Sequence, residues 1–206
     1  MTARGRYRKS AVSKRQVVEA AVRALATNGY AHTSVSDIAA EAGLSKGAVH
    51  YHFESKEDLV SHVADHCAAA VRERVRQAWQ APGTPLERLR SALREMRSAR
   101  REGAPELRVI ADLMVQAINE PKLRPPISAM FVANRAEVVS NLRETFDALG
   151  LETRLPMSVV PRLLLATLDG LALHDFFDPG DAALDDAIEQ AIEEIAATLF
   201  VPKPVS

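Results

Sequence analysis

The sequence contains a single cysteine, few aromatic residues and no long apolar run, and each shortage removes a class of protein. Cys67 has no partner within the chain for a disulfide, which points to a reducing compartment, so a cytoplasmic location is expected. No stretch approaches the roughly 18 apolar residues of a membrane helix, and the opening MTARGRYRKS lacks the apolar segment of a signal peptide. Export and membrane insertion are therefore not expected. Aromatics at 5% and scarce alternation of β-branched residues leave little from which to build a sheet. Glycine-rich phosphate loops and serine elbows are missing too, so no cofactor, no resident metal and no catalytic residue is expected.

An excess of charge of one sign is also lacking. Lys plus Arg is 26 against 27 Asp plus Glu, a formal charge of -1, which argues against a uniformly basic surface for nucleic acid. The average hides a division. Residues 1–53 hold eight basic groups (Arg4, Arg6, Arg8, Lys9, Lys14, Arg15, Arg23, Lys46) against three acidic (Glu19, Asp37, Glu41), a net +5, and the remainder holds 18 against 24, a net −6. A basic head is joined to an acidic body.

What is abundant is apolar material, 47% of 206 residues, enough for a sizeable core in one large or two small domains. Nearly all of it repeats with a helical period. Val17, Val18, Ala21, Val22 and Leu25 follow Ser13, whose spacing to Gln16 reads as a cap, and Asn28-Gly29 supplies the stop. Leu59, Val63, Cys67, Ala70, Val71, Val75, Ala78 and Trp79 form a stripe over a rod long enough to connect two domains. Thr84-Pro85-Leu86-Glu87 starts the next helix, and further helices are expected at about 105–118, 126–149, 158–177 and 184–200. The fold class is all-α.

The segment Thr33 to Leu59 carries the strongest local signals. Ser34 and Asp37 make a capping box, Gly43 ends the helix after about two turns, Ser45 caps a second short helix over Lys46 to Phe53, and Ser55 with Asp58 starts the long rod. Two short helices joined by a tight glycine turn are a helix-turn-helix, whose second helix suits the major groove of DNA. Val49 and Phe53 supply its buried side, leaving Lys46, Gly47, His50, Tyr51 and His52 mostly outward. Lysine, tyrosine and histidine can meet phosphates or base edges, and Gly47 with Ala48 lets the backbone come close. The plain alternative is that Tyr51 and His52 merely cover a small domain.

Gly47-Ala48-Val49-His50-Tyr51-His52-Phe53, followed by Lys56-Glu57-Asp58-Leu59, resembles the signature of the tetracycline-repressor (TetR) family of bacterial transcription regulators. Thr33 to Ala39 is similar to the first motif helix of that family, and the likeness extends over about Ser13 to Ala70. It implies a three-helix DNA-binding head over residues 11–71, a helical ligand-binding and dimerisation body over 72–206, and a homodimer on a palindromic DNA operator. It also implies DNA contacts at Thr33, Ser34, Ser45, Lys46, Gly47, Ala48, His50, Tyr51, His52 and Lys56. His50 departs from the family, which has tyrosine or phenylalanine there in many members.

Other readings stay open beside it. Six basic groups in the first fifteen residues form an arm that either follows DNA or is a solubilising tail. Residues 158–177 are apolar nearly all round, which suits a helix buried on both sides, and with 184–200 they resemble the family's paired dimer helices. Gly170 within Asp169-Gly170-Leu171 asks for a reason such as close helix approach. Asn134 and Asn141 on an apolar stripe need a partner, from the protein or from a small-molecule effector, and Met96, Met114, Phe131 and His174 are further candidate effector contacts. His62 and His66, one turn apart, suggest a metal-dependent hydrolase as a rival, and a protein-binding helical adaptor is another.

Overall fold

Alanine- and leucine-rich segments cut by proline and glycine fold into helices wherever the period of 3.6 persists. The computed structural model describes residues 3–178 and 180–203; the side chains of residues 3–13, 100, 101, 176, 182, 196 and 197 lie outside the description. In order come α1 (Ala3–Asn28), α2 (Val35–Glu41), α3 (Lys46–His52), α4 (Lys56–Trp79), α5 (Pro85–Arg101), α6 (Pro105–Asn119), a 3-10 turn (Pro121–Leu123), α7 (Arg124–Leu149), α8 (Val160–Phe177) and α9 (Ala182–Leu199).

Two features differ from the sequence reading. Helix α1 runs back to Ala3, so Ser13 lies inside a helix and not at its start. The Arg, Lys and Ala residues around it favour helix, and no proline separates them from Val17. Side chains of Arg4, Arg6, Arg8 and Lys9 lie outside the described residues. The second difference is a small ribbon, β1 (Leu151–Thr153) antiparallel to β2 (Phe200–Pro202), with Leu151 opposite Pro202 and Thr153 opposite Phe200. Strands of three residues show no period in a sequence. Phe200 packs on Phe146 of α7, ring centroids 4.3 Å apart, which ends α9 in an extended residue rather than a further turn.

The chain divides into two compact units, Met1–Val71 with Gly103–Phe131 and Arg72–Glu102 with Val132–Ser206. In the first, Val17, Ala21, Ile38, Val49, Phe53, Leu59, Val63 and Leu113 share one core. Helix α6 thus packs with the head, although the sequence reading assigns it to the body. In the second unit Leu142, Phe146 and Val160 form the centre, with Leu89, Val138, Leu155 and Met157 around them. A buried ion pair ties α5 to α9 there: Arg97 Nη2 donates to Asp185 Oδ1 at 2.6 Å. The Nε and Nη1 of Arg97 are buried without a hydrogen-bond partner among the described residues.

Helix α8 is not enclosed within this chain. Leu168 is buried, whereas Leu163, Leu173 and Phe177 are exposed, and α9 exposes Leu184 and Ile195. Among the described residues nothing lies within 4 Å of a Cβ placed at Gly170, so no close helix approach among them explains that glycine.

Candidate nucleic-acid interface

Local chemistry builds the two short helices. At the start of α2 the Ser34 hydroxyl oxygen accepts from the Asp37 amide at 3.2 Å, while the Asp37 carboxylate accepts from the Ser34 amide at 2.8 Å. The Ser34 hydroxyl also donates to the Asp37 carboxylate at 2.6 Å, and this bond, followed by the one from the Ser34 amide, holds the Asp37 carboxyl below the usual carboxylate range. The far end closes in a Schellman motif: Gly43, at φ +65°, donates to Ala40 O at 3.0 Å and Leu44 donates to Ala39 O at 2.9 Å. Half-buried Leu44 then packs on the core and turns the chain into α3. Ser45 caps α3 by accepting from the Ala48 amide at 3.2 Å.

Val49 and Phe53 anchor α3, at 1% and 2% exposure, so the opposite side faces outward. There Ser45, Lys46, Gly47, His50 and Tyr51 are exposed, with Tyr51 the most open large hydrophobic side chain in the described residues at 77%. Ala48 and His52 are half-buried. Beside this face lies an open hollow of about 420 Å³ bordered by His32, Thr33, Ser34, Lys46, His50 and Lys56. The structure thus brings Thr33, Ser34, Lys46, His50 and Lys56 to one concavity, while Tyr51 projects from the outer face of α3.

Two of these side chains are committed to the fold. Thr33 is buried, and its hydroxyl donates to Gly29 O at 2.7 Å. Lys56 Nζ donates to Tyr30 O at 2.6 Å and lies 3.8 Å from the centre of the Tyr30 ring. Burial pushes its ammonium below the ordinary lysine range, against Glu57, Asp112 and Asp37, which act the other way. His32, which borders the hollow, is absent from the sequence-based set, although its position directly before Thr33 was a signal for it.

The candidate effector contacts do not gather in one unit. Met114 and Phe131 pack against the core of the first unit. In the second, Met96 is buried, Asn134 Oδ1 accepts from Arg72 Nη1 at 2.9 Å, and His174 is exposed. Asn134 thus has a protein partner. The metal reading gains nothing: His62 Nε2 accepts from Lys14 Nζ at 2.8 Å and its Nδ1 donates to Asp58 O at 3.0 Å. Among the described residues no three His, Cys, Asp or Glu side chains are placed to hold an ion. No described helix is long and apolar enough to cross a membrane.

Comparison with known proteins agrees with this geometry. Residues 17–63 match the family of bacterial regulatory proteins, tetR family, and residues 85–200 match the BetI-type transcriptional repressor, C-terminal family. The HTH-type transcriptional regulator PksA of Bacillus subtilis is 26% identical over 170 residues, covering 81% of this chain and 80% of PksA. TtgR of Pseudomonas putida, also an HTH-type transcriptional regulator, is 42% identical over 53 residues, 26% of this chain and 25% of its own. Among solved structures, a TetR-family transcriptional regulator from Rhodococcus sp. superposes with a TM-score of 0.76 at 19% identity, over 88% of this chain and 97% of that one. A TetR transcription regulator from Haloarcula marismortui gives 0.74 at 22% identity, over 93% and 100%. An outward-facing α3 on a three-helix head, and family matches that together span most of the sequence, lead to one conclusion: the chain belongs to the TetR family and is a DNA-binding transcription regulator.

Proposed function

We propose that this regulator is a homodimeric repressor that sits on a palindromic DNA operator and leaves it when a small molecule binds to its carboxy-terminal part. The reading assigns residues 11–71 to DNA and 72–206 to effector binding and dimerisation, in a cytoplasmic protein that regulates rather than catalyses. One observation carries it: α3 turns Lys46, His50 and Tyr51 outward beside a hollow whose border includes a second lysine. Lys46 and Tyr51 then contact phosphates, His50 and His52 reach bases or sugars, and Ser34, Ser45, Gly47 and Ala48 let the backbone approach. Thr33 and Lys56 shape the edge from which the others act.

Apolar side chains left open on α8 and α9 support the dimer, since Leu163, Leu173, Phe177, Leu184 and Ile195 would otherwise face water. Two recognition helices about one DNA turn apart, roughly 34 Å, then enter successive major grooves. Helix α4 contributes residues to both units, so an effector that displaces it changes that spacing. A structure of the effector-bound dimer with unchanged spacing refutes this route.

The test is a mobility shift with a duplex that the protein selects from a randomised pool, and with a random duplex, at rising salt. Lys46→Ala and Tyr51→Ala are expected to weaken the selected complex more than about tenfold while the dimer persists on gel filtration. An absence of DNA binding at low salt overturns the reading, and loss of the dimer in these variants means that the interface is misplaced.

A further inference from the structure

Helices α1 and α2 end in different ways, and the difference singles out a residue of α6. At the end of α2 the amides of Ala42, Gly43 and Leu44 all close on the helix's own carbonyls. At the end of α1 only Gly29, at φ +76°, does so, donating to Leu25 O at 2.8 Å. The next amide, Tyr30 N–H, donates instead to Asp112 Oδ2 at 2.6 Å, a carboxylate 82 residues further along the chain. Gln116 Nε2, one turn on in α6, donates to the other oxygen of Asp112 at 3.3 Å and steadies it. Both polar backbone atoms of Tyr30 are thus held from outside, the amide by α6 and the carbonyl by Lys56 of α4. Thr33 binds back to Gly29 O, which completes the turn leading into Ser34 and α2.

We propose that Asp112 is a positioning residue for DNA binding: by holding the Tyr30 amide it sets the Gly29–Ser34 turn, and through it Lys56 and the first turn of α2, in the geometry that meets DNA. The inference rests on the proposed DNA face above. Its physical basis is that a short bond to a charged acceptor is about twice as strong as a neutral one, and that this one ties α6 to the turn whose next residues, Ala31 to Ser34, border the hollow. Without it Tyr30 N–H loses its acceptor, and the turn is held only by the Thr33 and Lys56 bonds beside Gly29, where the backbone is least restrained. The Lys56 ammonium, tied to Tyr30 O and its ring, moves with that turn. A second link from the segment after α6 reaches the same region, Lys122 Nζ lying 3.8 Å from Glu57 Oε1, but both groups are partly open to water and the link is weak.

The test uses the full-length dimer, fluorescence anisotropy with the duplex selected by the wild type and with a random duplex, and Asp112→Ala, Asp112→Asn and Lys46→Ala. Asp112→Ala is expected to weaken the selected complex about tenfold and the random one less than about twofold, so that specificity falls while phosphate contacts and the salt slope persist. Asp112→Asn, a neutral acceptor, is expected to lose about threefold. In 15N spectra the Tyr30 amide proton should move upfield in both variants, furthest in alanine. Unchanged discrimination between the two duplexes with a displaced Tyr30 amide overturns the proposal, as does a loss equal for both duplexes that follows the unfolded fraction. If the alanine variant does not fold, a change under twofold in Asp112→Asn refutes it. If Lys46→Ala binds as tightly as wild type, the DNA face itself is wrong, and that failure is separate from one confined to Asp112.

Discussion

Replacing Asp185 by alanine should cost the second unit about 3 kcal/mol. The side chain of Arg97 is 6% exposed and that of Asp185 16%, with Nη2 and Oδ1 2.6 Å apart. The change removes the acceptor found for Nη2 among the described residues, and Nε and Nη1 already have none. Breaking a buried pair from one side costs about 3–5 kcal/mol, mostly because the remaining charge stays desolvated. Partial opening of Asp185 to water places the expectation at the lower end. Arg97→Met combined with Asp185→Leu removes both charges at similar volume and should fall within about 1 kcal/mol of wild type. The measurement is urea unfolding followed through Trp79, the single tryptophan, at fixed protein concentration because the proposed dimer would add to apparent stability. In thermal terms the single variant should melt roughly 6–12 °C lower. If Asp185→Ala lies within about 1 kcal/mol of wild type, or the double variant is as unstable as the single, the ion pair does not carry the stability assigned to it.

Three further outcomes are expected. Burial, with a smaller contribution from Glu106, pushes the Cys67 thiol up to about 12, so the fold favours the neutral thiol. Its stabilisation is complete below about pH 9 and is lost as pH rises towards 12, which predicts that Cys67→Ala loses about 2 kcal/mol less than wild type between pH 7 and pH 10.5 in paired urea titrations. Ser34→Ala removes the capping box and should cost about 1 kcal/mol, with faster amide exchange confined to the first turn of α2; uniform exchange would contradict the local account. Gly43→Ala should cost about 1–2 kcal/mol and Gly43→Asn less, because nothing among the described residues lies within 4 Å of a side chain placed there and the left-handed backbone is what resists. Equal melting temperatures for the two variants would refute that distinction.

The head was readable because its signals are short-range. Ser34 and Asp37 are three residues apart, and Gly43 with Leu44 closes on Ala39 and Ala40. Val49 and Phe53 read as the inner side of α3 for the same reason, a helical period that needs no distant partner. Ser13 shows the limit of such signals: its spacing to Gln16 fits a cap, yet the residues before it favour helix and the helix starts ten residues earlier, at Ala3. In α8 the absence of a polar face was legible, but the sequence does not tell enclosure within one chain from an apolar face left open, and Leu173 is exposed.

From sequence alone follow the helical class, the punctuation of the first 60 residues, the outward set on α3 and the charge division between head and body, since all depend on propensity, period and neighbours in the chain. Tertiary structure alone decided that α6 packs with the head, that Asp112 meets Tyr30, that Asn134 answers Arg72, and that Arg97 is buried against Asp185. Those partners are 82, 62 and 88 residues apart for the three contacts. A side chain that satisfies a buried donor so far along the chain leaves no local period or spacing to read, because only the packing of helices brings the two groups within reach.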